Sequence, residues 1–467
     1  MKKKKKQKIN DFKQNIVLHK NDLALYLNNT ENICTNSWFD MSKQYSIQQK
    51  NHCNIKHKHK NKEIIKCQKI KMILNSNQKK ILHKWFDAYT KMYNEGIKYI
   101  KTNYIVTKHF INREQLTNQF NLNQINEKKH FDNFYFIRSE LIDNKKKIIN
   151  DSQINSIQLN TKIQTHTLDY ALRQLCSNIK SAQTNVLRNN FKKFRIKYWS
   201  SNRPSKTIEI EKSYIRNNKI CPKIFGDIKY TYNNKDFNLE NIDSNIKINY
   251  NKIKDEYIVL IPIKTNNNDN LNTKLISLDP GLRTFLSGIS ENEAINIGSN
   301  VNINISKQIK RINKIKDNKL ISKKIKKKNE LLINRKILNK VDELHWKTIS
   351  FLTKNYKTIF LGNMSAKNIV NKKTSVIGTI QKVACLRTKF YEFQQRLEYK
   401  CLANKIHFDY IDESYTSKTC SQCGYYKHNL GGNKLFICDE CDLIINRDFN
   451  GARNIYVKHF CSKEDKL

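Results

Sequence analysis

Four cysteines near one end, arranged as Cys420-x-x-Cys423 and Cys438-x-x-Cys441 with 14 residues between the pairs, restrict the fold of this chain more than any other feature. Each pair can turn two thiolates toward one point, and four thiolates about 2.3 Å from a zinc ion complete its tetrahedral shell. Gly424 and the Gly431-Gly432 pair permit the tight turns that such knuckles need. A shell closed by four protein ligands leaves no position for water, so the expected zinc is structural and not catalytic. The remaining eight of the 12 cysteines are scattered, which fits a reducing compartment rather than a disulfide framework.

Charge narrows the class of partner. The chain carries 87 Lys and Arg against 41 Asp and Glu, a formal +46, which is far more than solubility requires and points to a polyanion such as nucleic acid. A solvated lysine-rich surface explains part of the excess. No apolar run of about 18 residues is present to cross a membrane, and the lysines of Met1 to Lys6 have no apolar stretch behind them as a signal peptide would. A soluble, intracellular protein is expected.

With 467 residues there is room for two or three domains. Residues 1–60 are polar and basic with little periodicity and read as a largely disordered tail. Residues 61–195 open with a strand near Ile64 to Met72 and continue with Ile81, Trp85, Tyr89, Tyr93 and Ile97 at helical spacing. Residues 196–270 hold strand-like segments, Thr207 to Ile210 and Tyr257 to Ile263, so helices are expected to be inserted into a small β domain. Nine of the 11 glycines follow residue 280, marking 271–467 as a tightly turned α/β domain with the cysteine pairs at about 416–445.

Between the first two strands of that domain, Ser306 to Lys340 reads as one or two long basic helices able to lie along a nucleic-acid backbone. Arg311, Lys324, Lys327 and Arg335 are its chosen contact residues. The segment Val383 to Lys405 predicts one helix with Leu386, Phe390, Phe393, Leu397 and Cys401 on a buried face.

Two segments place carboxylates where metal chemistry could use them. Lys274 to Gly281 is an apolar strand ending in Asp279-Pro280-Gly281; Pro280 holds Asp279 extended and Gly281 lets the chain turn away, although the same triplet also makes an ordinary turn. If Asn446 to Ile455 is helical, Asp448, Ala452 and Ile455 share one face, which sets the carboxylate beside buried apolar residues. Arg447 and Arg453 could then meet phosphates. A helix-capping role is the plainer alternative for Asp448.

Taken in order, ISLDPGLRTF, YTSKTCSQCG with its downstream CDEC, and NRDFNGARNI resemble the TnpB and Fanzor family of RuvC-type nucleases, relatives of the type V CRISPR effectors. The resemblance is clear from Leu275 to Tyr456 and faint from Ile64 to Lys264. It implies an RNase H-like (RuvC) α/β domain with an inserted zinc ribbon, preceded by a small β wedge domain that carries a helical recognition domain. It also implies an RNA-guided DNA endonuclease associated with a transposable element, with guide RNA and target DNA as partners.

One departure bears on the subfamily. Typical TnpB proteins end the middle strand in a glutamate, whereas the matching strand here, Thr358 to Gly362, is followed by Asn363. Fanzor-like proteins are similar in lacking that glutamate and use one just before the ribbon, where Glu413 stands in this chain. Asp412, Asp409 and Glu343 are weaker candidates. By the resemblance, Asp279, Glu413 and Asp448 hold two magnesium ions about 3.5 to 4 Å apart, with Asp279 bridging, and Cys420, Cys423, Cys438 and Cys441 hold zinc. Arg447 joins the expected nucleic-acid contacts.

Two rival readings are a nuclease-inactive nucleic-acid-binding accessory of the transposase type and an RNA-independent, structure-selective nuclease. A monomer is expected, in the nucleus or a viral factory for a eukaryotic or large-virus host and otherwise in the cytoplasm.

Overall fold

The computed structural model describes residues 16–18, 64–103, 111–112, 132–157, 160–231, 239, 242, 244–265, 272–291, 293–364, 366–370 and 377–464. The chain divides into two compact units, Glu63–Thr265 and the combination of Met1–Lys62 with Asn266–Leu467. Of the expected basic tail, Ile16–Leu18 forms strand β1, pairing antiparallel with Ala294–Ile297, and the rest lies outside the described residues. Among the described residues no helix is long and apolar enough to cross a membrane.

In the first unit, strand alternation builds an antiparallel sheet. Its strands are β2 (Ile64–Ile73), β3 (Ser205–Ile210), β4 (Lys229–Thr231), β5 (Ile246–Asn251) and β6 (Glu256–Thr265), in the order β3-β5-β6-β2-β4. Every second residue is buried: Ile70 and Met72, Ile208 and Ile210, Ile246 and Ile248, Tyr257, Val259 and Ile261. Its longer helices are α1 (Ser76–Asn103), α2 (Phe134–Glu140), α3 (Ile142–Asp151) and α4 (Thr165–Leu187). Trp85, Phe86 and Met92 of α1 and Leu168, Leu172 and Leu175 of α4 are wholly enclosed, each worth roughly 1.5–3 kcal/mol of burial. Strand and helix residues share a single core, so the stretches 61–195 and 196–270 fold together.

The second unit is built on a mixed sheet. Its strands are β1, β7 (Leu275–Pro280), β8 (Leu286–Ser290), β9 (Ala294–Ile297), β10 (Thr358–Gly362) and β11 (His407–Ile411), in the order β1-β9-β8-β7-β10-β11. The β7–β8 and β8–β9 pairs are antiparallel; β10 runs parallel to both β7 and β11.

Period-two alternation assigns the two faces. Ile276, Leu278, Ile359 and Leu361 join Leu344, Ile349 and Leu352 of α6 (Lys323–Asn355) and Phe390, Phe393 and Leu397 of α8 (Phe390–Ala403) in one core. Phe360 and Ile411 point the other way and pack with Ile455 and Tyr456 of the last helix, α9 (Arg447–Glu464). Ser277 belongs to this second face, its Oγ donating to the Ala452 carbonyl at 2.7 Å.

Two expectations are corrected. The basic segment follows the third strand of this domain rather than the first, and forms two helices, α5 (Val301–Asp317) and α6. Ile305, Ile309 and Ile312 of α5 pack on Ile333, Ile337 and Val341 of α6. The single helix expected over Val383 to Lys405 is two, α7 (Thr379–Arg387) and α8, because Lys389 adopts a left-handed φ of 52°. The break swings Leu386 off the apolar stripe, leaving it 54% exposed, while Phe390, Phe393, Leu397 and Cys401 stay buried.

Candidate metal centres

Asp279 is the penultimate residue of β7, two positions beyond Ser277, so the pleat directs its carboxylate to the face covered by α9. It lines a cavity of about 340 Å³ together with Glu413 and Asp448. Burial, followed by the charges of Asp448 and Glu413, holds the Asp279 carboxyl well above the ordinary carboxylate range, with Arg447 opposing. Burial and the neighbouring Asp412 push the Glu413 carboxyl up to about 7.

Glu413 lies two residues past the end of β11, in the segment leading to the ribbon. Asp448 is the second residue of α9, but Asn446 does the capping: its Oδ1 accepts the Asp448 N–H at 2.9 Å. The Asp448 carboxylate is thereby left for the cavity. Three carboxylates drawn from a strand end, a loop and a helix start form an oxygen-only donor set that suits a hard divalent cation, which would offset their mutual repulsion.

Asn363 faces elsewhere. It is exposed and lines a separate cavity with Tyr391, Gln394, Gln395, Glu398 and Tyr410. The other candidate carboxylates do not line this cavity and lie beside other groups: Asp412 by Lys458 at 2.6 Å, Asp409 by His407 at 3.0 Å, and Glu343 by Lys347 at 2.8 Å.

The four ribbon cysteines converge, with their sulfurs all within 4.8 Å of one another. Cys420 and Cys441 are 3.6 Å apart and Cys423 and Cys438 3.5 Å. Four sulfurs at a tetrahedral zinc stand about 3.8 Å apart, so the group fits zinc and is far too open for disulfides. Strands β12 (Leu435–Ile437) and β13 (Ile444–Asn446) form the hairpin beside it.

Two asparagines one turn apart on α9 fasten the loop that enters the first knuckle. Asn450 accepts from the Ser421 N–H at 3.0 Å and donates to the Thr419 carbonyl at 2.8 Å. Asn454 donates to the carbonyls of Thr416 and Thr419 at 2.7 and 2.6 Å. The ribbon and the Asp448 carboxylate are thus carried on one helix.

Of the expected nucleic-acid contacts, Arg311, Lys324 and Lys327 are exposed on α5 and α6 and Arg335 is partly buried; none is paired with a carboxylate among the described residues. Arg447 lies at the cavity, its guanidinium donating to the Gly431 carbonyl at 3.0 Å. Arg453 sits one turn of α9 beyond Asn450. It is partly exposed and lies beside Cys420, where burial lowers its pKa against the opposing cysteine charge.

Arg283 and Lys434, which also line the cavity, were missed in the sequence, as was the reason for Gly451. A Cβ at Gly451 would stand 2.6 Å from an Asp279 carboxylate oxygen, and one at Gly362 would stand 3.2 Å from a Glu413 carboxylate oxygen. Only a bare backbone lets α9 approach Asp279 so closely at this position. Gly451→Ala is therefore expected to displace the Asp279 carboxylate and lower metal-dependent activity by about 10²-fold, the size of effect that a 1 Å misplacement can have. Zinc content should stay unchanged, and wild-type activity in this variant would show that the close approach does not matter.

Comparison with known proteins follows this geometry. The family model described as "Cas12f1-like, TNB domain" matches residues 390–455, which span α8, β11, the ribbon and the start of α9. A TnpB-like protein of Acanthamoeba polyphaga mimivirus is 31% identical over 422 residues, covering 88% of this chain and 76% of the relative. The CRISPR-associated endodeoxyribonuclease Cas12f1 of Sulfoacidibacillus thermotolerans is 39% identical over 69 residues, 15% of this chain and 16% of that protein. A solved complex of Cas12f1 with sgRNA and target DNA overlaps 84% of this chain and 99% of its own, with 15% identity and a TM-score of 0.29, a loose likeness. With the mimivirus relative matched along most of both chains, this protein belongs to the TnpB family.

Proposed function

We propose that the chain is a metal-dependent DNA endonuclease directed by a bound guide RNA, of the Fanzor-like variant of its family, with the β7–β11 sheet and α9 serving as an RNase H-like catalytic unit. The observation that carries this reading is the meeting of Asp279, Glu413 and Asp448 in one cavity while Asn363 faces another. A carboxylate thus stands where an amide could not serve.

When bound, two magnesium ions would supply an activated water and stabilise the leaving 3′ oxygen. Asp279 sits at the end of the central strand, with Glu413 and Asp448 reaching the cavity from separate segments, so the three together would hold the ions. Arg283, Lys434 and Arg447 at the same cavity would orient the scissile phosphodiester. The zinc ribbon holds the loop before Cys420 against α9 and so fixes where Asp448 stands. Exposed Arg311, Lys324 and Lys327, with Arg335 beside them, provide a cationic surface for the phosphate backbone. In guided nucleases of this logic, base pairing reads the sequence and the protein reads shape and a short flanking motif.

The test is whether cutting depends on RNA. Protein co-expressed with the transcript flanking its gene should carry a discrete RNA and cut a plasmid bearing the matching target; removing that RNA should stop the cutting. Equal cutting without RNA would favour the structure-selective nuclease.

Protonation supplies a separate prediction. Between the ordinary glutamate range and about pH 7, folded Glu413 binds more protons than the same residue in the unfolded chain. Its contribution to stability is therefore present in acid and lost as pH rises through about 7. Metal-free wild type should lose melting temperature relative to Glu413→Gln between about pH 5 and about pH 8, and magnesium should restore it. Parallel profiles for the two proteins would show that the fold does not raise the Glu413 pKa.

A further inference from the structure

On the same face of the sheet as Asp279, but away from its cavity, three further ligand-bearing side chains meet. His407 and Asp409 are two residues apart on β11 and so project to one side of it. His459 comes down onto them from α9. One ligand atom from each of the three, an imidazole nitrogen or a carboxylate oxygen, lies within 4.8 Å of the other two. His407 Nε2 is 3.0 Å and His459 Nδ1 3.7 Å from the same Asp409 oxygen.

These distances distinguish two explanations. A hydrogen bond accounts for the shorter one, but 3.7 Å is too long for an imidazole N–H to a carboxylate. Two ligands about 2.0–2.2 Å from a shared zinc ion stand about 3.3–3.5 Å apart, between the two observed values. The imidazole of His459 is also fixed in place: its side chain is 4% exposed and its ring stacks on Phe360 with centroids 4.0 Å apart. Phe360 is the register partner of Asp409 on the adjacent strand, so the rigid ring sits beside the carboxylate. His407 and Asp409 keep side-chain exposures of 29% and 17%, enough to admit an ion and leave a water on its outer side.

We propose that His407, Asp409 and His459 form a second transition-metal site, taking a divalent cation of the zinc type with two imidazoles, one carboxylate and water. Two nitrogens and one oxygen in an open set suit zinc or ferrous iron better than magnesium or calcium, which favour oxygen. Such an ion fastens β11, the strand that leads to Glu413, to α9, the helix that starts with Arg447 and Asp448. The site is independent of DNA cutting and stands whether or not the chain is a nuclease.

The experiment counts zinc in the full-length protein carrying Asp279→Asn, which weakens the cavity as a competing site. After dialysis against buffered zinc with excess magnesium, two zinc ions per chain are expected. His407→Gln or His459→Gln should lose one, and Cys423→Ser should lose the other. His407 is partly exposed at the sheet edge, so its variant keeps the test usable if the buried His459 change unfolds the chain. One zinc in the parent, or two retained in His407→Gln, overturns the proposal. X-ray absorption at the zinc edge gives a reading that needs no further variant: a mixed sulfur and nitrogen or oxygen shell supports the second site, and a shell of sulfur alone overturns it.

Discussion

Asp279→Asn is expected to lower the rate of metal-dependent DNA cutting by about 10³-fold or more, with zinc content and RNA binding unchanged. The size follows from what a bound metal does, since polarising a phosphoryl oxygen and generating a nucleophile are worth several kcal/mol, and each 1.4 kcal/mol is tenfold in rate. Asparagine keeps the shape of the side chain and removes its charge, so a loss reports on the carboxylate alone. Burial and both partner carboxylates also hold the Asp279 carboxyl well above its ordinary range. Asp448→Asn should behave alike, because Asn446 caps the helix independently of the Asp448 carboxylate. Single-turnover cleavage of a target plasmid measures both. Activity within a few fold of wild type in either variant would mean that the cavity is not where cutting takes place.

Cys423→Ser is expected to release the ribbon zinc and to reduce cutting by about 10²-fold, the usual size of effect when supports of a site are displaced. The ribbon's regular structure is a two-stranded hairpin, and Leu430, Phe436 and Ile445 pack with Ile289 and Ala294 of the sheet and Phe449 and Ala452 of α9. Isolated hairpins of that size are marginal in water, whereas structural zinc contributes about 10–16 kcal/mol in comparable small peptides. Loss would spread beyond the knuckles, because Asn450 and Asn454 tie Thr416, Thr419 and Ser421 to the helix that carries Asp448. Elemental analysis and cleavage on the same preparation check the two effects together. A variant that keeps its zinc would contradict the four-thiolate site, and one that loses zinc but cuts normally would uncouple the ribbon from Asp448.

Features set by local chemistry were legible in the sequence. Two CxxC pairs suffice to bring four thiolates together, and an apolar strand ending in Asp-Pro-Gly pointed to Asp279 at a strand end without excluding an ordinary turn. Asp448 followed from helical spacing with Ala452 and Ile455, both fully buried. Glu413 was reached only through the family resemblance, since nothing in its local pattern separates it from Asp412.

What stayed hidden depends on tertiary contact. Strand β8 is buried at all five positions, so it shows no alternation, and the hairpin it forms with β9 was passed over in placing the basic helices. The break between α7 and α8 has neither Gly nor Pro to announce it; His345 on α6 reaches the Thr388 carbonyl at 2.9 Å at the corner. Gly451 lay in plain view within a recognised segment, yet its reason for being glycine is an aspartate far away in the chain. Helix spacing alone likewise cannot say which way the long side chain of Arg453 turns.

The most direct measurement compares plasmid cleavage by wild type, Glu413→Gln and Asn363→Ala, each loaded with guide RNA in magnesium. Cutting should be lost in Glu413→Gln and kept in Asn363→Ala, as expected when the third carboxylate stands at the loop before the ribbon. Full cutting by Glu413→Gln, or no cutting by wild type despite tightly bound RNA, would contradict the account.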